Sequence, residues 1–374
     1  MSVTQELQTR GIESEALTYE ESGVANSAGA LGGLLPWVNR TLEFRRGRTG
    51  DNLMDIGFYA NVLDLGSGIR LAFSTDGVGT KILVAEMMGR YDTIGIDCVA
   101  MNVNDLICVG AEPIAMLDYI AVDRADPEIL AEVGKGLYEG ARQANISIPG
   151  GELAQLGTMI GGIKPGRGLD LVGTCVGIVL RKGRPLLGQD IADGDIILGL
   201  ASSGIHSNGL TLAREALFTR GGLDIHSKPA TLSTSLGEEL LTPTRIYVEV
   251  ALRLLGEIPG LRSLAHITSD GFLNLLRIPG SFSYEIEELP PAPPLFSLIA
   301  ETGGVSTAEM YRVFNMGIGL CAVVSPEADE QALRVCAECQ IPAWRIGTVR
   351  KTDSPEVTIL AAGLRGAGDR FRAL

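Results

Sequence analysis

The chain has 374 residues, 45% hydrophobic and 20% charged, which is enough apolar material for two domains rather than one. A formal charge of −14 argues against a protein that binds nucleic-acid backbone, and 5% aromatic content argues against base stacking on single strands. No run approaches the ~20 apolar residues that a membrane span needs.

Met1 to Glu20 is polar and mixed in charge, without an apolar core of signal-peptide type. Residues 1–50 read as irregular, with Gly-rich and Ala-rich patches between Gly23 and Gly33 and a basic cluster at Arg45, Arg46 and Arg48. That segment is either a solvated arm or a cover for a phosphate. Residues 56–65 and 69–75 predict two strands joined by Gly66-Ser67-Gly68. The second strand ends in Thr75-Asp76-Gly77-Val78-Gly79-Thr80-Lys81. Such an ending presents a carboxylate, a hydroxyl and an ammonium on a tight turn, and its glycines let backbone N–H groups approach a phosphate. The carboxylate suits Mg²⁺, which prefers oxygen ligands and would neutralise a polyphosphate on an acidic protein. An ordinary turn with a charged rim fits the same residues.

Apolar residues at helical spacing predict a helix from Thr93 to Val109, stopped by Gly110. Asp97, Asn102, Asn104 and Asp105 interrupt it. Asp97 and Asn104 share a face, and Asp97, Met101 and Asp105 follow one stripe. Carboxylates in an apolar helix need cations or hydrogen bonds, so a magnesium site is the economical expectation, with a solvated face as its alternative. Pro113 to Val122 predicts a strand, Asp126 to Ala144 an amphipathic helix, Ile148 to Glu152 a strand end before a glycine turn, and Leu169 to Leu180 a strand. Lys182-Gly183-Arg184-Pro185 is the expected boundary, giving domains 1–183 and 184–374.

Beyond it, Asp195 to Leu200 predicts a strand, then the polar loop Ala201-Ser202-Ser203-Gly204-Ile205-His206-Ser207-Asn208-Gly209 and a helix to Phe218. A polar loop between strand and helix is a natural anion site. Helices are expected over 235–241, 244–256, 306–313 and 326–339. Strands are expected before His266, up to Val324, and near 343–349 and 356–361, with Pro290 to Pro294 as a connector. The six cysteines sit mostly in apolar segments; Cys336 and Cys339 have a metal-like spacing on a predicted helix but no second pair. The expectation is a reduced, cytoplasmic protein of α/β (α+β) class.

Together the motifs resemble one family. Asp76-Gly-Val-Gly-Thr-Lys81, Asp92-Thr-Ile-Gly-Ile-Asp97, Val99-Ala-Met-x-Val-Asn104-Asp105, Gly110-Ala-Glu-Pro113 and Leu117-Asp118-Tyr119 look like aminoimidazole ribonucleotide synthetase, the phosphoribosylformylglycinamidine cyclo-ligase. The second half agrees, with Gly204-x-His206-Ser207-Asn208-Gly209, Leu241-Thr-Pro-Thr-Arg-Ile-Tyr-Val248, His266-Ile-Thr268 and Glu309-Met-Tyr-Arg-x-Phe-Asn315. The resemblance spans roughly residues 70–320 in the family's order. Its superfamily also includes formylglycinamidine synthetase, thiamine phosphate kinase, selenophosphate synthetase and a hydrogenase maturation protein.

The resemblance implies an N-terminal mixed sheet that pairs into a barrel across a homodimer, a C-terminal α/β domain, and ATP and Mg²⁺ as cofactors. It implies a phosphorylated ribonucleotide as substrate, with no nucleic-acid or membrane partner. ATP would phosphorylate the formamide oxygen of formylglycinamidine ribonucleotide, and the substrate's own nitrogen would then close the imidazole ring. Asp76, Asp105 and Glu152 would hold Mg²⁺, with Asp97 supporting. Thr75, Gly77, Gly79, Thr80, Lys81, Asn104 and Ser207 would bind the nucleotide. Asp76, Lys81, His206 and Asn208 would carry the chemistry, His206 as a donor or proton shuttle; a structural cap is the other reading of His206.

Three segments depart from the family pattern. Gly150-Gly-Glu152-Leu153-Ala-Gln155 lacks the usual Thr and second Glu. His266-Ile-Thr-Ser269-Asp270-Gly271 replaces a run of three glycines and puts a charge where backbone would approach a phosphate. Met54 to Asn61 replaces a Gly-Gly-Phe-Gly segment. These changes keep two alternatives open: a related ATP-dependent enzyme with another small acceptor, and a dimeric binding protein that no longer turns over. A Rossmann or P-loop enzyme is disfavoured because neither glycine signature occurs at the right spacing.

Overall fold

A computed structural model describes residues 16–24, 27–180 and 184–374. The expected boundary at Lys182 and Gly183 lies outside the described residues.

The first half is built on a mixed sheet: β1 (Asp51–Asn52), β2 (Asn61–Asp64), β3 (Arg70–Gly77), β4 (Ala111–Val122), β5 (Ser147–Gln155) and β6 (Leu169–Val179), in the order β1-β2-β3-β6-β4-β5. All neighbours are antiparallel except β4 and β5, which the crossover helix makes parallel. An irregular arm was expected over residues 1–50, yet Ser27–Thr41 is helical (α1), with Leu34 and Trp37 exposed. A short helix absent from the sequence reading, α2 (Lys81–Met88), starts directly after the Asp76 turn. Then come α3 (Ile94–Cys108) and α4 (Pro127–Ala144). α4 begins as its sequence dictates: Asp126 accepts from the Glu128 N–H at 3.0 Å, and Pro127 takes the first helical position.

α3 lies on one face of the sheet, and α4 packs across α3 where both helices carry glycine. A Cβ on Gly95 would fall 2.2 Å from the Leu137 nitrogen, and one on Gly136 would fall 2.6 Å from the Asp92 carbonyl. Only backbone against backbone fits there. The other face of the sheet is open. Register puts Phe73, Thr75, Thr174, Val176, Ile178, Leu117 and Tyr119 on it, and Leu117 is 51% exposed.

One local expectation is corrected. The glycines at 150 and 151 do not turn the chain; β5 runs through them to Gln155. Gly151 stands opposite Asp118, and a Cβ there would sit 2.2 Å from the Asp118 Oδ1. The glycine makes room for a neighbouring carboxylate inside a strand.

The second half holds a mixed sheet: β7 (Ile196–Ala201), β8 (Leu261–His266), β9 (Phe282–Ile286), β10 (Ile318–Val324), β11 (Ala343–Lys351), β12 (Val357–Ile359), β13 (Leu364–Ala367) and β14 (Arg370–Ala373), ordered β14-β13-β12-β9-β11-β7-β10-β8. β9 and the closing hairpin β13–β14 were not anticipated. After the polar loop the chain forms α5 (Leu210–Arg214) and continues as π-helix to Arg220.

α3 stitches the halves together. Lys81 and Asp97 are both 0% exposed, and Lys81 Nζ lies 2.9 Å from Asp97 Oδ1. The same ammonium donates to the carbonyls of His206 (3.1 Å) and Thr242 (2.6 Å). Asp97 Oδ1 also accepts from the backbone N–H and hydroxyl of Thr244, at 2.7 and 2.6 Å. Burial pushes the Lys81 pKa down, and the Asp97 charge opposes that fall. Asn104 accepts from the Tyr247 N–H (3.0 Å) and donates to the Arg245 carbonyl (2.8 Å). So Asp97 and Asn104, on an otherwise apolar helix, meet the second half of the chain rather than solvent.

Replacing Lys81 by Met leaves Asp97 buried without its cation. The expected loss is about 3–5 kcal/mol of stability, read by urea unfolding; a loss under about 1 kcal/mol would mean the pair does not hold the junction.

Candidate active site

At the end of β3, Asp76 accepts from the N–H of Gly77 at 2.8 Å. Burial and the nearby Asp105 carboxylate push the Asp76 pKa up to about 6. Asp105 Oδ1 lies 2.9 Å from Nδ1 of His266, whose ring is fully buried at the end of β8. Asn102 donates from Nδ2 to the Asp76 carbonyl at 3.1 Å, and its Oδ1 has no partner. Gly79 has φ +69°, and a Cβ there would meet nothing within 4 Å, so this turn faces open space. Thr80 touches the hydroxyl of Thr211 at 2.9 Å and so ties the turn to α5.

The polar loop of the second half comes to the same place. His206 is buried with φ +63°, a left-handed conformation that costs a non-glycine residue energy and needs surrounding contacts to hold it. Its carbonyl accepts from Lys81, and its Nε2 accepts from the Ser203 N–H at 3.2 Å. Burial, then His266, Lys81 and Arg245, hold its pKa well below the usual histidine range. The ring is therefore neutral at pH 7 with the proton on Nδ1, and that buried nitrogen has no partner. Ser207 Oγ is likewise buried and unpartnered, and Asn208 Nδ2 lies 3.9 Å from the Met101 sulfur. Two unspent polar atoms on one loop mark a place built to meet something else.

The structure brings Asp76, Asp105, Thr80, His206, Ser207 and Asn208 to the junction of the halves. Gly77 and Gly79 form its near wall. Lys81, Asp97 and Asn104 lie just beneath, with the bonding groups described above spent inside the protein. Thr75 points to the open sheet face, where its hydroxyl donates to the Gly173 carbonyl at 2.9 Å. Glu152 is placed apart. Register aligns Gly77, Val172, Tyr119 and Glu152 across four strands, so it lies about 14 Å from the end of β3.

His266 and Arg277 belong to the site although neither was singled out for chemistry. His266 was visible as the start of a motif. Arg277 gave no signal, because its role depends on a tertiary contact. Its Nη2 lies 2.8 Å from Asp270 Oδ2, and its guanidinium stacks 5.5 Å from the Tyr59 ring centroid. The charge introduced at Asp270 therefore has its own counter-ion. Tyr59, in the third departing segment, donates its hydroxyl to the Asn274 carbonyl at 2.7 Å.

Among the described residues, no group of three or more His, Cys, Asp or Glu side chains is arranged as a metal cage. The pair Asp76 and Asp105 still fits a hard divalent cation. The Asp105 charge adds to the cost of ionising Asp76, and Mg²⁺ commonly takes one or two carboxylates with substrate phosphates and water completing its shell.

Comparison with known proteins agrees along the chain. Family models described as "AIR synthase related protein", N-terminal and C-terminal domains, match residues 57–179 and 192–360. The phosphoribosylformylglycinamidine cyclo-ligase of Thermococcus kodakarensis is 48% identical over 321 residues, 85% of this chain and 91% of that one. That of Pyrococcus furiosus is 45% identical over 351 residues, 93% and 99% of the two chains. The solved structure of AaThiL complexed with AMPPCP and TMP matches with a TM-score of 0.60 at 14% identity, over 90% of this chain and 96% of that one, which is a likeness of fold. The chain belongs to the phosphoribosylformylglycinamidine cyclo-ligase family.

The raised Asp76 pKa makes a stability prediction. Its carboxyl ionises more readily unfolded (3.8) than folded (about 6), so its penalty is absent below pH 4, grows as pH rises to 6, and is full above 6. Asp76→Asn, measured without metal, flattens that decline between pH 4 and 6. An unchanged profile would contradict the shift.

Proposed function

We propose that this member of the cyclo-ligase family converts formylglycinamidine ribonucleotide to aminoimidazole ribonucleotide with ATP, a step of purine biosynthesis. The observation that carries the reading is the near full-length identity to named cyclo-ligases across both halves. The γ-phosphoryl group of ATP passes to the formamide oxygen, giving ADP and an imino-phosphate. The substrate's amidine nitrogen attacks that carbon and loses its proton, the C–O bond breaks, and phosphate leaves as the ring closes. Phosphorylation turns a poor leaving group into a good one, and closure is intramolecular, so holding the substrate folded supplies much of the rate.

In this reading Asp76 and Asp105 hold Mg²⁺, which neutralises the phosphates. The turn Gly77 to Thr80 and Ser207 bind the nucleotide. His206, neutral with Nδ1–H unspent, donates to an oxygen that gains charge, and Asn208 binds beside it. His266 orients Asp105. Lys81, Asp97 and Asn104 act by fixing the loops. Residues 1–183 form the nucleotide, metal and dimer domain, and residues 184–374 the second domain. The alternative of another acceptor has less support: Arg277 compensates the charge at Asp270, and Gly79 keeps its open approach.

The open face of the first sheet supports a homodimer. Leu117, Tyr119 and Ile178, 51%, 41% and 40% exposed, share it with Phe73 and Val176, and Glu152 lies at its edge. A contiguous apolar face of this kind is the surface a second copy covers. Among the described residues no helix is long and apolar enough to cross a membrane, which fits a cytoplasmic enzyme.

Purified protein with ATP and Mg²⁺ should release ADP, phosphate and aminoimidazole ribonucleotide in equal amounts, and only when formylglycinamidine ribonucleotide is present. ATP turnover without imidazole would move the assignment to another acceptor. Asp76→Asn should lower kcat at least about 100-fold. Tyr119→Asp should shift the sedimenting species from dimer to monomer; an unshifted dimer would place the interface elsewhere.

A further inference from the structure

Two runs take no part in the chemistry above, Thr244-Arg-Ile-Tyr247 and Asn315-Met-Gly-Ile-Gly319, and both close on the imidazole of His206. Gly319 lies near the start of β10, where the register against β7 shifts between Ile318 and Leu320. Its φ is not positive, so the backbone there does not require glycine. The space does. A Cβ on Gly319 would fall 2.2 Å from the Tyr247 phenol oxygen and 2.5 Å from Cε1 of His206. The phenol and the imidazole thus share the place of a missing side chain, against bare strand. The strand itself is pinned, since the Gly319 carbonyl accepts from the Ile267 N–H at 3.0 Å.

Tyr247 is fully buried and held at both ends. Its N–H donates to Asn104 on α3, and its hydroxyl donates to the carbonyl of Ala201, the last residue of β7, at 2.8 Å. That hydroxyl proton is spent, so Tyr247 acts on His206 by contact; the two ring centroids lie 6.4 Å apart at 59°. Asn315 ties the same region to the loop. Its Nδ2 donates to the carbonyls of Gly204 (2.9 Å) and Ile205 (3.3 Å), and its Oδ1 accepts from the Gly317 N–H at 2.8 Å. The Gly317 carbonyl in turn accepts from the Ser202 N–H at 2.9 Å.

The imidazole is therefore fixed from two sides. The Ser203 N–H occupies Nε2 and sets the proton on Nδ1. Gly319 and Tyr247 bound Cε1, the carbon between the two nitrogens, and a contact there fixes the direction of both.

The geometry points to Gly319 and Tyr247 as positioning residues: bare strand and phenol form a wall that holds the His206 imidazole in one orientation, with its Nδ1–H presented for donation. That this donation serves ring closure rests on the function proposed above; the wall does not.

The chain has three histidines, so NMR of the full-length protein labelled with ¹⁵N-histidine reads each ring separately, with exposed His226 as internal reference. His206 should be a single Nδ1–H tautomer in the wild type. Gly319→Ala, whose methyl displaces the ring, should mix the tautomers. Tyr247→Phe, which takes the oxygen out of the wall, should do the same, and it carries the test alone if the alanine variant does not fold. In turnover each single change should lower kcat about tenfold and leave KM for ATP in place. In the double variant the methyl has the room the oxygen left, so the single tautomer and most of kcat should return. An unchanged His206 signal in Tyr247→Phe overturns the wall whatever the activity, and so do losses that simply add in the double variant. Mixed tautomers with unchanged kinetics overturn the positioning role. A wild-type protein that ignores formylglycinamidine ribonucleotide overturns the ring-closure reading alone, and the NMR experiment still decides the wall.

Discussion

A lysine ammonium in a dry interior must have every N–H accepted, and Lys81 meets that demand from three separate segments. The carboxylate of α3, the carbonyl of His206 and the carbonyl of Thr242 all converge on one nitrogen. Their positions cannot vary independently. His206 is held in a left-handed conformation partly because its carbonyl must point at Lys81. Thr244 is held because Asp97 takes both its N–H and its hydroxyl. The loops that form the reactive surface therefore inherit their geometry from a charge that never reaches that surface. Such a pair contributes little net stability, since desolvation offsets its attraction, but it penalises every arrangement that leaves it incomplete.

The sequence predicted much of this architecture where a segment's chemistry was local. α3 and α4 came out almost to the residue, because helical spacing, the Asp126-Pro127 start and the glycine after Val109 all act within a turn of the chain. The buried polar residues of α3 were recognised as needing partners. What those partners were lay 140 or more residues away for Asn104 and Asp105, and no local pattern encodes them. The glycines of β5 show the same limit from the other side. Gly150-Gly151 reads as a turn until Asp118, on the adjacent strand, is seen to occupy the space a side chain would need. α2 is only eight residues long and has no side-chain cap at Thr80, so it carries neither a clear apolar period nor a start signal.

Two of the three departures from the family pattern have partners elsewhere in the chain. Asp270 came with Arg277, and the segment around Tyr59 came with a hydrogen bond to Asn274 that ties it to the second half. The Arg277 charge reaches further, easing the ionisation of Asp76, so the segment around Asp270 and the carboxylate at the end of β3 are electrostatically linked.

The stitching of α3 to the second half also bears on how the chain is made. Synthesis runs from the N-terminus, so the first half emerges with Asn104 and Asp105 in place while the groups at 245, 247 and 266 are not yet available. Until they arrive, the polar stripe of α3 stays hydrated, and the first half cannot close over it. Docking of the halves and drying of α3 are one late event. Contacts of such long sequence separation slow folding, and the interval leaves a half-built protein with its apolar sheet face and its unspent polar helix both in water, the state most open to capture by chaperones or to aggregation.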